Sequence, residues 1–421
     1  MEQRCRFGGD SVVEPISTSE LEELRAQALA GVAHSQRILG NLYLRGHPDL
    51  SQDQEQAVSF FEKAAAQQDI KAIHNLALCH AYGEGTPVDV ERAAALFQEG
   101  AEADAADSIY SLALCYESGI GKEKDLERAL ALFQQAAEKG CREAQCKMGE
   151  LYEYGVLVEK DYQKAVAMYE LSAAQNFSDA EHHLGQCYEH GIGVEVDIAK
   201  AVEWITRAAN RGDPEAQFDL GVCYEHGEGV EQDLEKAFSL YALSAAQNDR
   251  KAIFNLAYCY QHGEGTSEDL SKAVELYTKA ADWGNRDAQY NLANCYRRGE
   301  GVKEDMVKAV HYYELAAAKS HPLAQTNLGI CYDNGDGVQK DHKKAFALFE
   351  AASKQDEDED AKAAALHCLA TSYYEGQGTK QNKDKGKELW HQSADLGYQP
   401  AKDALEKHSH FFHLPHLHHK H

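Results

Sequence analysis

Glycine recurs in pairs at a fixed distance along this chain. The pairs are Gly83/Gly85, Gly119/Gly121, Gly191/Gly193, Gly227/Gly229, Gly263/Gly265, Gly299/Gly301 and Gly335/Gly337, and from Gly83 to Gly335 they keep one 36-residue register. Gly155 holds that register although Leu157 replaces its second glycine. Gly46 opens the series one residue early, and Gly376/Gly378 closes it after an insertion of five. A chain of 421 residues exceeds what one compact core usually organises, so it must divide or repeat. A period in this range selects repetition: stacked two-helix units, each burying a face that it cannot bury alone.

The stretch from Asn255 to Trp283 shows how one unit is built. Asn255 to Gly265 ends a first helix at a glycine, where the chain can turn left-handed. Asp269 then supplies an acidic N-cap for a second helix, and Asp89, Asp125, Asp161, Asp197, Asp233, Asp305 and Asp341 are its equivalents. In the second helix, Ala273 and the pair Ala280-Ala281 bracket Leu276 and Tyr277 at helical spacing. In the first helix, Leu256, Cys259 and Tyr260 stand at i, i+3 and i+4, which predicts a buried face on which small Ala257 admits a neighbour. The expected fold is all-α: a right-handed α/α superhelical solenoid of about ten helix-turn-helix repeats, each 36 residues long. It would occupy residues 33–398. A capping box of Ser19 and Glu22 starts a leading helix at 19–32, behind a flexible 1–18, and 399–407 forms a closing helix before a histidine-rich tail, 408–421.

Composition narrows the functional classes. Sixty-nine acidic residues against 42 basic ones give a net charge of −27, which repels nucleic acid and anionic lipid. No apolar run approaches the roughly 20 residues that a membrane helix needs, and the first twenty residues lack an apolar signal core. The expectation is a cytoplasmic protein without a membrane span, whose partner is a protein or peptide.

The repeat resembles the Sel-one-like repeat (SLR) family, a relative of the tetratricopeptide repeats. Ala216, Leu220-Gly221, Tyr224, Gly227, Gly229-Val230, Asp233 and Lys236-Ala237 carry the family pattern in order, and the resemblance extends from about Ala33 to Gly397. It implies an adaptor in assembly or signalling that works without a cofactor. A secreted branch of the family carries two cysteines eight residues apart in each repeat and is linked to penicillin binding and hydrolysis. Ala281 and Gln289 stand at the matching positions here, so that activity is not carried over.

Other chemistry has little footing in the sequence. Cys79, Cys115, Cys187, Cys223, Cys259, Cys295 and Cys331 share one repeat position. Stacked helices keep equivalent positions about 8–10 Å apart, beyond the roughly 7 Å Cα limit for a disulfide, so these read as buried thiols. The glycine pairs follow helices rather than strands and lack a following Lys-Ser/Thr, which argues against a phosphate loop. No nucleophile and base can be singled out, because every candidate recurs in repeats with the same structural job. His190, His226 and His262 recur in three successive repeats, but metal ligands must converge and a ladder spaces them apart. The tail holds seven histidines in fourteen residues. A solvated, pH-responsive segment is its simplest reading, and weak transition-metal affinity is the reading it leaves open. The acidic run from Asp356 to Asp360 coincides with the five-residue insertion and reads as a solvated loop.

Helix geometry points to one face for a partner. With Leu256, Cys259 and Tyr260 buried, Phe254, Tyr258, Gln261 and His262 lie opposite at 100° per residue. Their equivalents are Phe218, Val222, Glu225 and His226 in the preceding repeat and Tyr290, Asn294, Arg297 and Arg298 in the following one. In tetratricopeptide units this face of the first helix lines the concave surface. Aromatic residues that stacking does not require, flanked by two arginines in an acidic protein, suit a peptide that pairs a hydrophobic anchor with an acidic residue.

Overall fold

The computed structural model describes residues 16–409. The expected flexible N-terminus thus lies almost wholly outside the described residues, and so do residues 410–421 of the histidine-rich tail. The described residues form twenty-two helices and no strand. Twenty of the helices make ten consecutive pairs, preceded by Thr18–Leu29 and followed by Gln399–Ser409. The chain divides into two compact units, Met1–Ala216 and Gln217–His421.

Nine of the ten repeats close their loop with the same hydrogen bonds; in the first, the His47 N–H turns to the Leu50 carbonyl instead. At the end of the first helix Arg250–His262, Gly263 adopts φ +69°, and the N–H groups of Gly263 and Glu264 both return to the Cys259 carbonyl. That arrangement satisfies a carbonyl which the helix end would otherwise leave unpaired. Asp269 then accepts from the Lys272 N–H at 3.0 Å, while its own N–H donates to the Tyr260 carbonyl at 2.8 Å. The cap residue therefore starts one helix and ties it to the end of the other. Asp89, Asp125, Asp161, Asp197, Asp233, Asp305 and Asp341 cap their helices in the same way.

The second glycine of each pair does a different job. A Cβ added at Gly265 would lie 2.0 Å from the carbonyl oxygen of Leu234, the first residue of the preceding repeat's second helix. At Gly301 the same construction meets the Leu270 oxygen at 2.2 Å, and in the first unit Gly121 meets Val90 at 2.2 Å. The loop of one repeat thus touches the backbone of the previous one, an approach that only a residue without Cβ allows. Where Leu157 stands instead, it is held at φ +61° and is 38% exposed.

The core of each unit is a column of large side chains from the second helices, set into small residues of the first. In the second unit Tyr241, Tyr277 and Tyr313 are fully buried, one repeat apart, with Phe349 continuing the column at 3% exposure. Gly221 faces Tyr241 so closely that a Cβ would stand 2.7 Å from the ring. In the first unit Phe61, Phe133 and Tyr169 are likewise fully buried. Burying a side chain of this size contributes about 1.5–3 kcal/mol, so the column is a principal source of stability. Tyr260, expected to lie in the core, is only half-buried: it packs edge-on against Phe238 at 5.3 Å beneath the Lys272 ammonium. Its ring faces the neighbouring second helix at the repeat edge, and Tyr277 takes the central position.

Repeats are also joined by a buried glutamine. Gln289 donates to the Ala281 carbonyl at 3.1 Å, and Gln36, Gln145 and Gln325 reach the residue eight positions earlier in the same way.

Three boundaries differ from those expected. The capping box of the leading helix is Ser17 with Glu20, not Ser19 with Glu22. The earlier start places Ile16 and Leu21 in one apolar cluster on either side of the cap, a hydrophobic staple that the later start lacks. The acidic run is not wholly a loop. Asp358 caps a 17-residue helix, Glu359–Glu375, and Glu359 and Asp360 form its first turn, where carboxylates are favoured by the helix dipole. At the far end the helix Gln399–Ser409 takes in His408, assigned above to the tail. The His408 ring stacks on Trp390 at 5.4 Å and its Nδ1 lies 3.2 Å from the Tyr374 hydroxyl.

Candidate functional site

The ten residues of the expected partner face lie on three successive first helices, Pro214–His226, Arg250–His262 and Arg286–Arg298. Five of them are exposed: His226, Tyr258, His262, Arg297 and Arg298. Tyr258 is 39% exposed, and its ring lies 4.2 Å from that of His262. Arg298 meets Glu300 at 3.6 Å in an exposed pair, which is worth little and is easily exchanged for another anion.

Four more, Phe218, Val222, Phe254 and Tyr290, are half-buried. Their rings lean on the column beneath: Phe218 on Tyr241 at 5.6 Å, Phe254 on Tyr277 at 5.8 Å and Tyr290 on Tyr313 at 6.1 Å. Tyr290 also stacks on His321 at 4.5 Å. The expectation that stacking leaves these aromatics free is therefore corrected. One side of each ring belongs to the repeat, because the second-helix tyrosine reaches through to this face. The tenth, Asn294, is buried and accepts a 2.6 Å hydrogen bond from the Tyr313 hydroxyl, so it supports the face without being offered on it.

The buried tyrosines contribute a polar feature not anticipated above. Tyr241 donates to Glu225 and Tyr277 donates to Gln261 at 2.8 Å; in the first unit Tyr169 donates to Glu153 at 2.6 Å. Burial and the acceptor carboxylate raise the Tyr241 hydroxyl above its usual range, and burial pushes Tyr313 up to about 12. These hydroxyls therefore stay protonated as donors and hold the side chains of the face in place. The signal was legible: each tyrosine follows its Glu or Gln acceptor by 16 residues. Burial, and secondarily the charges of Glu264 and Glu225, raise Tyr258 as well.

His190, expected in line with His226 and His262, is exposed and lies 3.7 Å from Glu189. Among the described residues, these three histidines belong to neither of the two groups whose Cys, His and carboxylate atoms converge closely enough to hold a metal ion. The shared cysteine position lies on the buried side of the first helix. Cys79, Cys187, Cys223, Cys259, Cys295 and Cys331 are buried free thiols and Cys115 is half-buried. Burial pushes Cys79, Cys187 and Cys259 up to about 12 and Cys295 and Cys331 to about 11, so they are poor nucleophiles at neutral pH.

Known proteins share this architecture. The sequence profile of the Sel1 repeat matches ten segments, 33–69, 70–104, 106–141, 142–177, 178–213, 214–249, 250–285, 286–321, 322–357 and 363–398. A protective antigen from uropathogenic Escherichia coli strains that displays an SLR fold is 29% identical, covers 92% of this chain and 90% of its own, and superposes with a TM-score of 0.56. A Sel1 repeat protein from Oxalobacter formigenes is also 29% identical, covers 74% of this chain and 88% of its own, and gives a TM-score of 0.52. No curated protein matches the chain.

Proposed function

The chain belongs to the Sel1 repeat family, and from that premise we propose that it is a non-catalytic interaction scaffold, a cytoplasmic adaptor that holds a partner peptide along the first-helix face of residues 218–298. By analogy with tetratricopeptide units this face lines the concave side of the array. The leading helix caps the first unit, burying Leu21, and the closing helix caps the second, burying Ala401.

The observation that carries the reading is Tyr258. It is 39% exposed on a face that also presents the half-buried ring of Phe254, and the equivalent face of the next repeat presents exposed Arg297 and Arg298. An aromatic held rigidly on a helix contributes contact area at little entropic cost, and arginine adds planar recognition of carboxylates. A partner of matching chemistry has an apolar anchor followed by an acidic group. The net charge of −27 favours such selectivity, because the protein as a whole repels an acidic peptide while the two arginines attract it locally.

The test is to identify the partner by affinity capture and mass spectrometry, then to titrate it calorimetrically against folded variants. Tyr258→Ala should weaken binding by more than about 1 kcal/mol. Arg297→Glu and Arg298→Glu should chiefly slow association and reduce its salt dependence. Full affinity in all three variants would place the partner elsewhere on the protein.

A further inference from the structure

The repeat that lacks its second glycine also departs from the pattern on its first helix, Arg142–Tyr154. Cys146 occupies the register of Phe218, Phe254 and Tyr290, outside the shared cysteine position, where this repeat has Leu151. One turn on, Glu150 lies on the same side of the helix. The next first helix, Ser178–His190, brings in His183. The Cys146 sulfur, a Glu150 carboxylate oxygen and a His183 ring nitrogen all lie within 4.8 Å of one another.

We propose that Cys146, Glu150 and His183 form a binding site for a divalent cation of the zinc class, with the fourth coordination position open to water.

The geometry and the donor chemistry agree. Zinc takes one thiolate, one imidazole and one carboxylate readily, with N and O ligands at about 2.0–2.1 Å, which sets the tetrahedral N–O edge at about 3.4 Å. His183 Nε2 and Glu150 Oε1 are 3.5 Å apart. The imidazole is held in position: it stacks on Tyr169 at 4.7 Å with an interplanar angle of 6°, and Tyr169 is anchored through its hydroxyl to Glu153. Ring orientation of this kind is what a ligating histidine needs from its surroundings. The access is one-sided. Cys146 is 3% exposed at the bottom, while the Glu150 and His183 side chains are 22% and 20% exposed at the mouth.

The charges around the thiol favour a cation. Burial first, then the carboxylates of Glu150, Asp179 and Glu143, hold the Cys146 proton in place; Lys147 opposes them, but it is itself paired with Glu117 at 3.0 Å. A divalent ion is attracted by the same carboxylates, and ligation by the sulfur displaces the thiol proton. The second converging group, Asp107, Cys141 and Glu143, lacks an imidazole, and Arg142 already pairs with Glu143 at 3.0 Å.

The experiment is a titration of the full-length, reduced protein with Co2+, followed by displacement with Zn2+. Thiolate-to-cobalt charge transfer in the near ultraviolet reports a cysteine ligand, and residues 408–421 contain no cysteine, so the histidine-rich tail cannot produce it. Three variants each install the residue found at that register in another repeat, which the fold already accommodates: Cys146→Thr as in Thr326, Glu150→Gln as in Gln186 and His183→Asn as in Asn255. The wild type should show the band at one equivalent. Cys146→Thr should abolish it. Glu150→Gln and His183→Asn should weaken Zn2+ by at least about 100-fold, beyond the 10–100-fold that loss of an outer-shell partner costs. Absence of the band in the wild type, its persistence in Cys146→Thr, or wild-type Zn2+ affinity in His183→Asn would each overturn the assignment.

Discussion

Replacing the two glycines of one loop by alanine, one at a time, separates the two roles assigned to them. Gly263 and Gly265 have nearly the same backbone, φ +69° and +68°, so alanine suffers the same left-handed penalty at either position, roughly 1–2 kcal/mol. Part of this is offset, by about 0.4–1 kcal/mol, because alanine also restricts the unfolded chain. At Gly263 nothing more is added, since the nearest atom to the new Cβ is the Glu268 nitrogen at 3.5 Å, an ordinary contact. The net cost of Gly263→Ala should therefore be about 1 kcal/mol. At Gly265 the Cβ would sit 2.0 Å from the Leu234 oxygen and 2.5 Å from its carbon, and backbone cannot move aside as a side chain can. The two repeats must part, which adds an overpacking cost of about 1–3 kcal/mol and brings Gly265→Ala to about 2–4 kcal/mol. Urea denaturation followed by circular dichroism gives both values, and thermal melting checks their order. Leu157→Gly is the reciprocal case: relief of its φ of +61° at a 38% exposed position should raise stability by about 1 kcal/mol. Equal costs at Gly263 and Gly265 would refute the docking role of the second glycine.

Three further outcomes follow from the core. Native protein should expose few reactive thiols to Ellman's reagent, with half-buried Cys115 ahead of Cys79 and Cys259, and denaturation should release the rest; free-thiol rates at Cys259 in the native state would contradict its burial. Tyr277→Ala should cost about 3–5 kcal/mol, more than the half-buried Tyr260→Ala, whereas Tyr277→Phe should lose only about 0.5–1.5 kcal/mol with the hydrogen bond to Gln261. Burial pushes His74 down to about 4 from its ordinary value near 6.5, so the unfolded state binds the proton more tightly. This contribution is fully present above pH 6.5 and is lost as pH falls through the interval to 4, a loss of about 3 kcal/mol. His74→Tyr, which installs the residue found at Tyr110, should flatten stability across that interval; an unchanged pH profile would show that His74 is not its source.

Much of this architecture was legible because a repeat states each local rule many times. One aspartate before an apolar stripe is a weak sign of a helix start, but eight in a common register are not, and all eight cap as read. The places that misled were those without repetition. The leading helix offers two serine-to-glutamate spacings, and only the packing of Ile16 chooses between them. The acidic insertion occurs once, so nothing in the pattern showed that its last two residues would begin a helix. The candidate face was readable as a set of positions but not as a surface. A helical wheel for one helix cannot show that Tyr277, from the other helix of the pair, reaches under Phe254 and shares its ring. For the same reason Asn294 looked available although it is spent on Tyr313. Cys146 was hidden by the more conspicuous ladder of seven cysteines, and its significance depends on His183, which only the next repeat supplies.

The central claim is that a partner lies on the first helices of the second unit, and amide hydrogen exchange with and without that partner tests it most directly. Binding on this face should slow exchange in residues 250–262 and 286–298, while the second helices 270–282 and 306–318 keep their free-state rates. Protection confined to those second helices, or to the segment beyond Ser409, would contradict it.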